Sequence, residues 1–188
     1  MRISINDTLK KLRTDYVDIF YVHWWDYETS VEEVMTHLHN LVVSGKVLYL
    51  GASNMPAWVV AQANTWAVAN GKTPFAIYTG AWNVMDRAFE HDIIPMAKAF
   101  GMALAPYNVL AGGKLRSDAE EERREQSGEK GRDTLGQGWR RTEEEKKMSN
   151  VLEKIAKEVG ASSLGAVAIA YLFHKVSACT FFSLYTSN

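Results

Sequence analysis

The stretch DYVDIFYVHWWD, residues 15–26, decides the fold. Five of the six residues from Tyr16 to Tyr21 are apolar or aromatic, the run expected of a strand covered on both faces. It then ends on His23, Trp24, Trp25 and Asp26, a titratable ring walled by indoles. Three later runs repeat the plan: VLYLGASN (47–54), FAIYTGAWN (75–83) and MALAPYNVL (102–110). Each is apolar along its length and turns polar or aromatic at its C-terminal end.

A helix is expected before every strand. NDTLKKLR (6–13) places Leu9 and Leu12 on one face. SVEEVMTHLHNLVVSGK (30–46) opens on Ser30 with Glu33 three residues on, a capping box, and Gly45 is placed to end it. PAWVVAQANTWAVANGK (56–72) has Pro56 at its start and Gly71 past its end. RAFEHDIIPMAKAFG (87–101) reads as mostly helix, with a break or a new start near Pro95. Continuous apolar strands alternating with helices predict a parallel sheet in an α/β protein. His23, Ser53, Thr79 and Tyr107 follow one another at intervals of 30, 26 and 28 residues. Near-equal β/α units of that length are the pattern of a TIM (β/α)8 barrel.

The chain has 188 residues, of which 47% are hydrophobic and 23% charged, with a formal net charge of −1. That balance fits one soluble domain and gives no reason to expect nucleic acid or an anionic membrane as partner. No apolar run approaches the ~18 residues that span a bilayer. The N-terminal MRISINDTLKK lacks a secretory apolar core. The one cysteine, Cys179, has no internal disulfide partner and no basic neighbour in sequence to activate it. A cytoplasmic setting is the expectation. Residues 116–141 are dense in charge and read as a long exposed loop with transient helix in DAEEERREQ, either a solvated face or a lid over a site. Beyond it, Thr142 and Glu145 form a second capping box, and two helices follow, KMSNVLEKIAKEVG (147–160) and SSLGAVAIAYLFHK (162–175). SACTFFSLYTSN (177–188) is expected to begin a fifth strand.

Ligands of parallel β/α folds bind where the strands end. His23 ends the first strand, Ser53 and Asn54 the second, Thr79, Trp82 and Asn83 the third, Tyr107 and Asn108 the fourth. Two readings stand for His23. Stripped of water by Trp24 and Trp25, a neutral imidazole donates a hydrogen bond to a carbonyl oxygen gaining charge. Otherwise it is a core histidine tied to a backbone carbonyl. Ser53 and Asn54 suit a planar amide ligand, although taken alone a helix cap is the favoured reading. The two glycines of YNVLAGG (107–113) let backbone approach a phosphate closely. His37 and His39 are two apart on a helix and share no face, so no metal site is expected there. His91 and His174 read as surface residues, and Glu143 to Glu145 as a helix start.

Three segments, LKKLRTDYVDIFYVHWWD, LVVSGKVLYLGASNMPAW and APYNVLAGGKL, resemble the aldo-keto reductases, and among them the fungal aryl-alcohol dehydrogenase type. The resemblance runs from about residue 5 to about residue 175. It implies a TIM barrel and metal-free, NADP(H)-dependent interconversion of aryl or other aldehydes and ketones with alcohols, including carbonyls of secondary metabolism. By match to the family motif, His23 orients the substrate oxygen. Ser53, Asn54 and Thr79 meet the nicotinamide carboxamide, and Tyr107 stacks on its ring. Asn108, Leu110, Gly112 and Lys114 lie along the pyrophosphate. Trp24, Trp25 and Trp82 wall the pocket for a small-molecule carbonyl or alcohol.

Two departures stand out. The family carries glutamine where this chain has Thr79, whose shorter side chain reaches less far. The family's catalytic aspartate, tyrosine and lysine precede the strand of His23 and find no matching position here. The resemblance therefore implies a single partial barrel domain over 1–188, truncated at both ends, with an exposed, sticky edge at DYVDIFYV and poor solubility alone. Its alternative function is a non-catalytic relic or binding module of the same fold. The sequence leaves the oligomeric state open.

Overall fold

The computed structural model describes residues 2–131 and 138–176, and the fifth-strand expectation and Cys179 lie outside them. The chain divides into two compact units. Among the described residues the first holds 2–80 and 89–106, and the second 81–88 and 107–176.

In the first unit, α1 (Arg2–Leu12), α2 (Val31–Val43), α3 (Ala57–Ala69) and α4 (Ile93–Ala99) alternate with β1 (Val17–His23), β2 (Val47–Ser53), β3 (Phe75–Thr79) and β4 (Ala103–Leu104). The strands form one sheet in the order β1-β2-β3-β4, every pair parallel. This is the expected β/α succession, with each strand beside the next in chain order. The fourth strand is shorter than its sequence run, because only Ala103 and Leu104 pair with β3.

Local chemistry sets the elements. Ser30 caps α2 by accepting the Glu33 N–H at 3.2 Å, and Gly45 takes φ +71 just past its end. Val34, Leu38 and Leu41 recur at helical spacing on its buried face. The expected helix is interrupted and starts anew near Pro95: a single turn over Ala88–Glu90 precedes α4. Pro95 itself breaks no helix. It lies in the first turn of α4, where a missing N–H leaves no intrahelical bond unmade. In α1 the buried pair is Ile5 and Leu9, four residues apart, while Leu12 is 60% exposed, so the expected Leu9–Leu12 face is corrected by one turn.

The strand that opened the reading is not covered on both faces, since no residue of β1 is fully buried. It forms one edge of the described sheet, as expected of a partial barrel. Central β2 is different. Val47, Leu50, Gly51 and Ala52 are all buried, and a Cβ on Gly51 would stand 2.4 Å from the Tyr21 ring. Glycine is thus what lets the β1 tyrosine lie across β2.

Asn64, 1% exposed on α3, ties that helix to β3. Its Oδ1 accepts the Phe75 N–H at 2.8 Å and its Nδ2 donates to the Phe75 carbonyl at 3.1 Å. One amide side chain thereby satisfies both backbone groups of the residue that starts the strand.

The second unit is helical. It contains α5 (Asp118–Ser127), α6 (Glu143–Val159) and α7 (Leu164–Lys175). The Thr142–Glu145 capping box forms in both directions, with the Thr142 N–H donating to Glu145 at 2.7 Å and the Glu145 N–H to Thr142 Oγ1 at 3.3 Å. Leu115, Leu152, Leu164 and Ala168 make a buried cluster. Where the sequence suggested an exposed charged loop with transient helix, residues 118–127 are a capped α-helix, and Arg116, Glu121 and Arg141 are buried. Among the described residues no single helix is long and apolar enough to cross a membrane.

Replacing Asn64 by alanine strips Phe75 of both partners. The expected cost is about 1–3 kcal/mol, read as a lower urea midpoint with unchanged slope.

Candidate functional site

Parallel register brings the polar strand ends level in the first unit. His23 pairs with Ser53, and Ser53 with Thr79. The ladder runs one residue further, with the Trp24 N–H on the Ser53 carbonyl at 3.0 Å and the Asn54 N–H on the Thr79 carbonyl at 3.1 Å. His23, Ser53, Asn54 and Thr79 are therefore brought together at the C-terminal edge of the sheet, as the sequence predicted.

Their side chains are partly committed. Asn54 Nδ2 donates to His23 Nε2 at 3.0 Å, so in this pairing Nε2 accepts and the imidazole proton sits on Nδ1. Neither sequence reading of His23 foresaw this. The ring is exposed rather than stripped of water, and its partner is an amide side chain rather than a backbone carbonyl. The Thr79 hydroxyl donates to the Ala105 carbonyl at 2.6 Å. Its proton is spent, and only its lone pairs remain to accept. Ser53 is 8% exposed.

Backbone strain gathers at the same edge. Trp24 takes φ +68 and Asn54 φ +51, immediately after β1 and β2. Asparagine tolerates the left-handed region, whereas a tryptophan there is an outlier of the sort that clusters at functional sites. Trp24, 67% exposed, meets His23 edge-on at 5.9 Å. A hollow of about 310 Å³ opens here, lined by residues 22 to 26, Thr29 and Val34. Trp24 and Trp25, expected to wall a substrate pocket, both line this hollow. Asp26 is consumed in a turn, where the Thr29 N–H and hydroxyl, then the Glu28 N–H, hold its carboxyl below the usual range.

The remaining sequence candidates belong to the second unit. Ala81 bridges Tyr107 in parallel, and the Trp82 N–H donates to the Tyr107 carbonyl at 3.1 Å. Trp82 is fully buried, so its indole is not the open wall predicted, while the Tyr107 ring is 44% exposed. Asn83, 2% exposed, donates to the Asn108 carbonyl at 3.2 Å and accepts the N–H groups of Met85 and Asp86. From Asn108 to Gly113 the loop takes four left-handed residues: Asn108, Ala111, Gly112 and Gly113. The N–H groups of Ala111, Gly113 and Lys114 close on the loop's own carbonyls. Leu110 packs against the helical core, and the Lys114 ammonium lies 3.6 Å from Glu145.

An ion cluster that sequence reasoning missed anchors the same unit. Buried Arg141 bonds the Glu121 carboxylate through Nε, Asp118 at 2.6 Å and the Arg116 carbonyl at 2.6 Å. Arg116 reaches the carbonyls of Gly113 and Trp139 at 2.9 and 2.8 Å, and lies over the Trp139 ring at 5.3 Å. Burial alone would raise the Glu121 carboxyl, but the hydrogen bonds and charge of Arg141 overcome it and hold it below its ordinary value. Nothing in a run alternating Glu and Arg distinguishes these residues from their solvated neighbours. Among the described residues no group of three or more His, Cys, Asp and Glu side chains is placed to hold a metal ion.

A model of the aldo/keto reductase family matches residues 1–184. The chain belongs to the aldo/keto reductase family. Its described parallel sheet is part of that family's TIM barrel, so the expected partial (β/α)8 fold holds. Among similar proteins, an aryl-alcohol dehydrogenase [NADP(+)] of Phanerodontia chrysosporium is 61% identical over 176 residues, covering 93% of this chain and 46% of the relative. A probable aryl-alcohol dehydrogenase, AAD4, of Saccharomyces cerevisiae is 54% identical, with 93% and 53% covered. The aldo-keto reductase ausK of Aspergillus calidoustus is 48% identical, with 93% and 44% covered. The chain spans about half the length of the curated relatives it matches.

Two outcomes are expected for the ion cluster of this aldo/keto reductase. Arg141→Met leaves the Glu121 carboxylate buried without its main partner, a loss of about 3–5 kcal/mol in a denaturant melt. Because Glu121 is held below its ordinary value of 4.5, its contribution is complete above that pH. The contribution falls away as pH drops below 4.5 and through the folded value, and Arg141→Met flattens that part of the stability–pH profile.

Proposed function

We propose that this chain carries the nicotinamide-holding residues of an NADP(H)-dependent oxidoreductase that interconverts aryl or other aldehydes and ketones with alcohols. The observation that carries the reading is the level row His23–Ser53–Thr79 with Asn54 beside it, in a chain of this family. Two similar proteins bear aryl-alcohol dehydrogenase names, one of them with NADP(+), which supports the choice of cofactor and of an aryl substrate.

The residues fit a carboxamide by their chemistry. Thr79, its proton given to Ala105, is an acceptor suited to an amide N–H. Ser53 and Asn54 supply donors for an amide oxygen. Within the second unit by itself, Tyr107 offers an exposed ring face, and Gly112 and Gly113 offer backbone free of a Cβ. Lys114 contributes less charge to a phosphate than the resemblance implies, because Glu145 already offsets it. When bound, NADPH supplies the hydride for a carbonyl carbon.

His23 polarises the substrate oxygen once its Nε2 carries the proton. That requires Asn54 to leave Nε2, and Asn54 turning toward the carboxamide is the event that frees it. Cofactor binding and imidazole readiness are thus linked through one amide. Trp24 and Trp25 supply apolar walls for the ring of the substrate. A cytoplasmic setting belongs to the same proposal and rests on the single cysteine and the near-neutral charge.

The hydrogen bond into Nε2 also favours a second reading, a binding module that holds cofactor without turnover. Titrating the purified chain with NADPH by fluorescence, then adding benzaldehyde and following NADPH oxidation, separates the two. Both readings expect binding that Asn54→Ala weakens about three- to tenfold. Because the family's catalytic aspartate, tyrosine and lysine have no matching position in this chain, oxidation of NADPH by it requires another proton donor. Oxidation supports the reductase, binding without oxidation supports the module, and absence of binding contradicts both.

A further inference from the structure

Two aromatic rings pack together next in the chain to residues that line the hollow at the β1 exit, without lining it themselves. Tyr27 lies between Asp26 and Thr29, both of which line it. Trp58 is the second residue of α3, four residues after Asn54. Their ring centroids are 6.4 Å apart with planes inclined by 32°. Tyr27 is 64% exposed and Trp58 61%.

Neither ring serves the core. The buried face of α3 is built by Ala57, Val59, Val60, Ala63, Asn64 and Ala67, and Trp58 stands off it. Tyr27 is held at φ +61, a conformation that a residue with a Cβ rarely adopts. The Asp26 carboxylate fixes it there by accepting the N–H groups of Glu28 and Thr29 at 3.0 Å each and the Thr29 hydroxyl at 2.8 Å. Strain and three hydrogen bonds therefore hold an exposed tyrosine against an exposed tryptophan. A held aromatic pair, whose tyrosine is flanked in the chain by lining residues of a small hollow, suits a flat, neutral ring, which stacks at little entropic cost on a platform already ordered.

We propose that Tyr27 and Trp58 form a remote aryl subsite, which selects carbonyls and alcohols carrying a second ring or an extended aromatic system. The proposal rests on the aryl-carbonyl reading of the adjoining hollow. The reacting group and first ring occupy the hollow walled by Trp24 and Trp25, and the distal ring lies on the open faces of Tyr27 and Trp58. Tyr27 and Trp58 are specificity-determining and take no part in proton movement.

Ligand-observed NMR on the full chain tests this with benzyl alcohol and biphenyl-4-methanol as probes, neither of which needs turnover. The two-ring probe is expected to bind more tightly, and Trp58→Ala or Tyr27→Ala to shrink that advantage about three- to tenfold. Benzyl alcohol affinity stays unchanged in both variants, and Trp58→Phe and Tyr27→Phe keep the advantage. An advantage unaltered by the alanine variants, an equal loss for both probes, or no binding of either probe overturns the proposal. NADPH binding by the unsubstituted chain is read separately, so failure of the nicotinamide reading and failure of the subsite are distinguishable.

Discussion

Everything proposed for the first unit depends on the parallel register of β1, β2 and β3. Val17 pairs with Val47 and His23 with Ser53, so the two strands run level for their whole length. Between β2 and β3 the register shifts at Leu50 and Gly51, yet Ser53 still meets Thr79. Side chains paired in this way project to one face together. A one-residue slip in either ladder would send one member of the row to the opposite face and dissolve the site. Gly51, flattened under Tyr21, and Asn64, clamping Phe75, are the local devices that hold those ladders where they are.

Much of this was legible in the sequence because backbone pattern and site chemistry coincide. Apolar runs mark strands, and a strand's change to polar residues marks the end at which parallel folds bind ligands. Caps at Ser30 and Thr142 were equally legible, since a capping side chain acts within three residues. Long-range partners were not. That Asn54 would donate to His23, that Thr79 would give its proton to Ala105, or that Lys114 would face Glu145 depends on side chains 26 to 31 residues apart, and no local rule fixes such pairings.

The charged segment after Lys114 shows the same limit from the other side. Its composition argues for solvation, and most of its charges are solvated. Arg116, Glu121 and Arg141 are not, because a guanidinium can satisfy several carbonyls and carboxylates at once and so tolerates burial. Which arginines become buried is set by tertiary packing and leaves no trace in a run that alternates the two charges. The strand-exit strain at Trp24 and Tyr27 is similarly invisible beforehand, since neither residue type advertises a left-handed backbone.

The central claim is that the level row at the strand ends is a nicotinamide site whose imidazole is governed by Asn54. Nitrogen NMR of the His23 ring, recorded with and without NADP+, tests it most directly. The account predicts Nε2 without a proton and accepting from Asn54 in the free chain, with Nε2 gaining the proton when NADP+ binds. A ring that keeps the same proton position at saturating NADP+, or that carries its proton on Nε2 throughout, would contradict it.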